Sequence, residues 1–314
     1  NKIIFDIPVF QRNYEWRMQQ CQQLFKDLSD LVKNNNEHFL GTIVYVREST
    51  DNLSALERII DGQQRLTSCM LLLKAMADAD SEIKDEIEEQ YLTNKYLADN
   101  QHLKLRSVER DRPAYRAIMS DKLDEFEGTS KVVENYEYFK DCLADSEFKV
   151  NELFSAMARM NIVYIELNDD VSGENPQVIF ESLNSTGVSL SPTDLVRNYL
   201  LMRLNVDLQE SLYREYWVKI ENLFTGNIFT EFLRHYLINR THSIVNWNAV
   251  YDTYKDYFVD QQLTTQGALK ELYQYARYYN DLLNGTTVSD GFNRLVNNIN
   301  IMGRKVVYPY LMKL

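Results

Sequence analysis

In Ile59-Ile60-Asp61-Gly62-Gln63-Gln64-Arg65-Leu66-Thr67 an apolar run stops at Asp-Gly and an amphipathic helical pattern begins within two residues. A strand that ends at a glycine beneath a helix start points free backbone N–H groups and the positive end of the helix dipole at one place, and that chemistry holds phosphate. Gly62 lets an anion approach the main chain, and Arg65 offers a bidentate guanidinium. Asp61 and Gln64 also stand at N-cap and N3 spacing, so the same string reads as a capping box with no ligand. The residues alone leave both readings open.

Three further polar clusters fall at the ends of strands or helices, where rigid supports can carry a site: Gln11 with Arg12, His38 to Gly41, and Asn184 to Asp194. Gln11 and Arg12 are a polar pair inside an aromatic turn and read as functional, whereas Tyr14 and Trp16 beside them read as core. His38 is of a residue type that can serve as a general base but reads rather as a loop histidine. Ser185 and Thr186 are loop hydroxyls, and Asp194 fits a capping role. The basic string Lys104, Arg106, Arg110, Arg112 and Arg116 is either a local phosphate contact or a solvated helix face balanced by Glu109 and Asp111.

The elements that must position these residues follow from periodicity. Phe5, Ile7 and Val9 alternate as a short strand, a helix runs from about Arg17 to Lys33 with Leu24, Phe25, Leu28, Leu31 and Val32 on its core stripe, and Asn34-Asn35-Asn36 ends it. His38 to Val46 and Leu56 to Ile60 read as a hairpin around a polar tip. The helix after Asp61 reaches about Ala79, with Leu66, Met70, Leu73 and Met76 facing the sheet. Beyond the acidic stretch from Asp78 to Glu89, Leu103 to Arg106 reads as a short strand. Arg112 to Met119, Lys131 to Ala144 and Val150 to Arg159 read as helices, and Ile162 to Leu167 as a further strand. Pro176 to Leu183 is expected as a helix closed by Asn184-Ser185-Thr186-Gly187, and the next helix has Ser191 at N-cap, Pro192 at N1 and Asp194 at N3. From about Asn205 the aromatic and leucine spacing is helical throughout.

Composition narrows the class. The chain has 314 residues, is 45% hydrophobic and carries few Gly (10) and Pro (5), which favours a predominantly helical globular protein. A formal charge of -12 argues against a surface that coats nucleic acid broadly, so any DNA contact must be local. Three cysteines without ligand or disulfide spacing, no span long enough for a bilayer and no leader pattern point to the cytoplasm and to no membrane partner. The first residue is Asn1 and an apolar segment precedes Leu314, so both ends are expected to be cut from something longer.

Ile7-Pro8-Val9-Phe10-Gln11-Arg12-Asn13-Tyr14-Glu15-Trp16, then Phe39-Leu40-Gly41, then Asp61-Gly62-Gln63-Gln64-Arg65-Leu66-Thr67, then Phe180-Glu181-Ser182-Leu183-Asn184-Ser185-Thr186-Gly187 with Leu190 and Asp194-Leu195, taken in this order, resemble the N-terminal domain of GmrSD-type restriction endonucleases. The resemblance covers residues 3 to 200 or so, and the DGQQR string shows no departure. It implies an α+β fold: a small mixed sheet with helices, similar to the ParB/sulfiredoxin core, followed by an all-helical region. It also implies a nucleotide-binding domain at 1–204 with a helical insertion and a helical domain at 205–314, the latter preceding a C-terminal or separate HNH-type nuclease. His38, His102, His235 and His242 form no such nuclease pattern themselves.

The implied activity is binding and hydrolysis of a nucleoside triphosphate with Mg²⁺, in a module of a modification-dependent, type IV-like restriction system that defends bacteria against phage. The catalytic residues would be Asp61, Gln64 and Arg65, with Asp61 also on the metal. Gln11, Arg12, Gly41, Gly62, Gln63 and Asn184 would bind nucleotide. Modified DNA and a second copy of the chain are further expected partners. Two other readings stay open: a ParB-like site at Asp61, Gln63 and Arg65 that nicks DNA, and a non-enzymatic module that binds nucleotide or a partner.

Overall fold

Proline sets the end of the first strand. Alternation predicts a strand over Phe5 to Val9, but β1 is Ile3–Asp6. Ile7 still donates to the Arg106 carbonyl at 2.9 Å, after which Pro8, which has no N–H, accepts from Gln11 N at 3.0 Å and turns the chain. The computed structural model describes residues 3–48, 55–94, 97, 102–167, 179–180, 190–224 and 226–313. They form two compact units, Asn1–Leu183 and Asn184–Leu314, a division placed before the helix that begins at Pro192 rather than at 204/205.

In the first unit, β1 is joined by β2 (His38–Glu48), β3 (Ala55–Asp61), β4 (Leu105–Arg106) and β5 (Met160–Leu167) in a mixed sheet of order β4-β1-β3-β2-β5. β1 runs parallel to β3 and β4, whereas β2 is antiparallel to β3 and parallel to β5. The carboxyl ends of β4, β1 and β3 therefore meet the amino ends of β2 and β5 at one edge. That topology brings the loop after Asp6, the Asp61-Gly62 turn and Gly41 together, although they are far apart in sequence. Two register shifts, Phe39/Gly41 in β2–β5 and Val44/Tyr45 in β2–β3, flank this edge. Such bulges bend strands and re-aim side chains.

One sheet face supports helices α1 (Met18–Asn34), α2 (Gln63–Ala79), α3 (Ser81–Ile87), α4 (Arg112–Met119), α5 (Lys131–Ala144) and α6 (Val150–Met157). Ile7, Ile43, Ile59 and Leu105 share a core with Leu24, Leu28 and Leu31 of α1 and with Leu66, Met70, Leu73 and Met76 of α2. α2 is buried around nearly its whole circumference, so it is the central helix of the unit rather than an amphipathic surface helix. Even Lys74 is buried there, and it bonds Asp78 at 2.6 Å and Asp121 at 2.5 Å. α1 ends one residue later than its pattern suggests, at Asn34, and is closed by Asn35 in the left-handed conformation.

The second unit is helical throughout its described residues: Pro192–Leu201, Val206–Leu212, Val218–Glu221, Ile228–Thr241, Val250–Asp260, Thr265–Asn284, Asp290–Ile301 and Tyr308–Leu311. The π turn Tyr213–Trp217 joins the second and third of these. Its core is aromatic, as the spacing predicts, with Phe224 stacked on Phe232 at 5.0 Å and Phe232 against Tyr279 at 5.5 Å. Ser191, Pro192 and Asp194 form the expected capping box, and Asp194 also pairs with the buried Arg197 at 2.7 Å. Of the helix expected at Pro176 to Leu183, only 179–180 are described, and these are helical; Asn184 to Gly187 lie outside the described residues. No described helix is long and apolar enough to cross a membrane.

Candidate functional site

The capping box expected at Asp61 and Gln64 does not form. Asp61 remains in β3, Gly62 takes the N-cap position with φ 93°, and no side chain caps α2. A left-handed φ is open to glycine, and here a second constraint applies: a Cβ on Gly62 would lie 2.9 Å from both Ile43 Cγ1 and the Thr42 carbonyl oxygen. Gly62 thus lets the strand end press against the β2 backbone and turn directly into the helix. Leu66 N closes the first helical bond on Gly62 O at 3.0 Å. Among the described residues no side chain accepts from the amides of the first turn, and no acidic residue stands in that turn.

Arg65 lies across this turn. Its Nη2 donates to Thr42 O at 2.6 Å and to Asp61 Oδ2 at 3.2 Å, and its buried Nε has no hydrogen-bond partner among the described residues. The guanidinium rests on Gly41, which has φ 128° and where a Cβ would fall 2.7 Å from Arg65 Nη1. The two glycines therefore serve one arrangement: Gly62 admits the turn and Gly41 admits the arginine. The Asp61 and Arg65 side chains are each 30% exposed, so their ion pair contributes little to stability and leaves both groups accessible.

Gln64 points away from the helix end and holds the loop after β1. Its Oε1 accepts from Glu15 N at 2.7 Å and Trp16 N at 3.1 Å, and its Nε2 donates to Asn13 O at 3.0 Å. Gln11 ties the same loop to the strand end, with Nε2 donating to Ile60 O at 2.8 Å, one residue before Asp61. Arg12 is half-buried on that loop, and Gln63 is buried at the start of α2. The structure thus brings Gln11, Arg12, Gly41, Asp61, Gly62, Gln63, Gln64 and Arg65 to one sheet edge, whereas Asn184 lies outside the described residues.

Further residues position the loop, and only some could be foreseen. Asp111 accepts from Tyr14 N at 2.6 Å, and burial pushes its carboxyl up to about 6 against the opposing pull of that hydrogen bond. Tyr14 is buried as its aromatic character predicts, with its hydroxyl 2.6 Å from Ser68 Oγ and accepting from Asn135 Nδ2 at 3.1 Å; burial holds its pKa far above the usual value. Asn135 also donates to Trp16 O at 2.9 Å. Asp111 carried a signal in sequence only as a charge balancing arginines, and Asn135 carried none.

Other candidates are structural. His38 lies 3.3 Å from Asp27, and His235 is buried against the Tyr279 hydroxyl at 3.2 Å, where burial lowers its pKa to about 4 and keeps it neutral. Among the described residues no three His, Cys, Asp or Glu side chains converge as a metal cluster.

Comparison with known proteins gives the chain a family. The family model described as GmrSD restriction endonuclease, N-terminal domain, matches residues 1–201, which include both glycines, Arg65 and the Gln11–Trp16 loop. An uncharacterized protein of Methanocaldococcus jannaschii is 26% identical over 259 residues, which cover 71% of this chain and 43% of that protein. The chain therefore spans less than half the length of this curated relative. With the match extending over well over half of its length, the chain belongs to the family of the GmrSD restriction endonuclease N-terminal domain.

Proposed function

We propose that the α2 helix end is a nucleotide phosphate site and that the first unit binds and hydrolyses a nucleoside triphosphate as a module of a modification-dependent restriction system. The observation that carries this reading is the uncapped α2 N-terminus, with left-handed Gly62 at its start and Arg65 across it. Free first-turn amides and the helix dipole favour an anion there. Among the described residues the buried Nε–H of Arg65 has no partner, and such a group is costly unless a ligand or water completes it.

In this reading the amides after Gly62 cradle the phosphates and Arg65 exchanges its contact with Asp61 for phosphate oxygen, neutralising charge as it develops on the transferred group. Gln11 and Gln64 act as positioning residues, because their amides are spent on backbone groups that fix the loop carrying Arg12. Mg²⁺ fits the donor set: it takes one or two carboxylates plus water and substrate phosphates, and Asp61 offers one partly exposed carboxylate. When bound, the ion would supply charge neutralisation between phosphate oxygens. Residence in the cytoplasm, where nucleotide is available, belongs to the same proposal.

A competing reading has its own observation. The 2.6 Å bond from Arg65 to Thr42 O ties α2 to β2, and a strap of that kind needs no ligand. Thermal midpoints with Mg²⁺ and each of ATP, GTP, CTP and UTP separate the two. A ligand at 100 times its Kd adds about 2.7 kcal/mol of stability. One nucleotide should raise the midpoint of the wild-type chain and fail to raise that of Arg65→Ala; a folded chain indifferent to all four supports the strap.

A further inference from the structure

The basic string between Lys104 and Arg116 takes no part in the helix-end site, and the structure divides it. Lys104 is buried, with its ammonium on the Glu89 carbonyl at 3.2 Å and on the Gln90 carbonyl, and is spent on holding the π turn Glu88–Leu92. Arg106 instead ends β4. The register sets Asp6 of β1 opposite Arg58 of β3 on one side and Arg106 of β4 on the other. In-register positions of neighbouring strands project to the same face, so one carboxylate stands between two guanidiniums. Arg112, the first residue of α4, donates Nη2 to Ser107 O at 3.3 Å, which fixes a third guanidinium beside the end of β4.

The charges of this group do not close among themselves. Glu48 pairs with Arg58 at 2.6 Å, but among the described residues the buried Arg58 Nε has no hydrogen-bond partner, in a residue only 9% exposed. Among the described residues neither Arg106, Arg112 nor Asp6 has an ion-pair partner within 4 Å. Three cations gathered around one unpaired carboxylate oppose the sign of a chain whose net charge is -12. Burial moreover raises the pKa of Asp6, which weakens the compensating charge that stands between Arg58 and Arg106.

We propose that Arg58, Arg106 and Arg112 form a second anion site, on the β4-β1-β3 part of the sheet, that takes a phosphate group. Planar guanidinium forks match phosphate oxygens, and such an oxygen would complete the buried Arg58 N–H. The phosphate belongs either to a free phosphate compound or to a phosphodiester backbone. This site is separate from the helix end: Arg58 precedes Asp61 by three residues, roughly 10 Å along β3. The proposal does not depend on nucleotide hydrolysis there.

The test titrates the whole chain, in wild-type and in Arg65→Ala form, with inorganic pyrophosphate and separately with a single-stranded oligothymidine lacking terminal phosphate, following the Arg58 Nε–H resonance and the affinity. At least one probe should shift that resonance in both forms and bind about tenfold more weakly to Arg106→Gln and Arg112→Gln, the loss of one charged hydrogen bond. Arg106→Lys should recover part of the affinity. A pyrophosphate response assigns the site to free phosphate compounds, and a response to the oligonucleotide alone assigns it to a backbone. Both glutamine variants alter partly exposed side chains, so a folding defect in one leaves the other decisive. An unshifted Arg58 resonance, or unchanged affinity in both variants, overturns the proposal.

Discussion

Gln64 shows what separates a residue type from its role. In sequence it stands beside Arg65 and reads either as a catalytic amide or as the distal half of a capping box, yet in the fold it makes three hydrogen bonds to the backbone of the loop after β1. Gln64→Ala would leave two amides and a carbonyl of that loop without partners. It should destabilise the chain by about 2–4 kcal/mol, measured by urea unfolding, since each of the three part-buried hydrogen bonds contributes about 0.5–1.5 kcal/mol. Gln64→Glu, which keeps the acceptor and loses the donor, should lie between. Gly62→Ala should also destabilise, by about 2 kcal/mol or more, because a Cβ must fit a left-handed φ and lie 2.9 Å from backbone oxygen. A Gly62→Ala chain of wild-type stability would show that the turn relaxes and that its close approach to β2 is not required.

At the scale of elements, the loop from Gln11 to Trp16 is held by α2, by α5 through Asn135 and by Asp111 before α4, and this clamp has a pH dependence. The folded pKa of Asp111 is about 6 against an ordinary 3.8, so between these values the folded state keeps a proton that the unfolded chain releases. Its contribution to stability is therefore greatest at the acid end, falls as pH rises through this window and is constant above it. Asp111→Asn keeps an acceptor for Tyr14 N and removes the titration; unfolding free energies between pH 4 and 7 should fall less steeply with pH than in wild type. An equal slope would place Asp111 in solvent-like surroundings.

The sheet edge gives a second prediction. Among the described residues β5 has no strand on its outer side, and Ile162, Val163, Tyr164 and Ile165 on it are 37–48% exposed, a combination that templates edge-to-edge association. Val163→Lys should lower light scattering at high protein concentration without shifting the thermal midpoint. Scattering that stays unchanged would mean the edge is already protected.

For the molecule as a whole, the class of fold was legible because it rests on long periodic signals: the α1 stripe, the β2–β3 hairpin, α2 and the aromatic helices of the second unit all stand within a few residues of where spacing puts them. Boundaries set by a single hydrogen-bonding defect were less so, as Pro8 shows at β1. The site was legible as a list of residues and not as an arrangement. Its convergence depends on strand order, which places Gly41 beside Arg65 and the Gln11 loop beside Ile60, and no local spacing encodes strand order. Asp111 and Asn135, which hold the loop from other helices, were hidden for the same reason. With a net charge of -12 the chain repels polyphosphates at long range, so attraction at the helix end must be local and must depend on a few groups.

The central claim is therefore tested most directly by calorimetric titration of the four nucleoside triphosphates with Mg²⁺ into wild-type and Arg65→Ala protein. Saturable binding of at least one triphosphate to the wild type, weakened at least tenfold in the folded variant, is the expected result for a site that loses its charged fork. Binding of equal strength to both proteins, or to neither, would contradict a phosphate site at the start of α2.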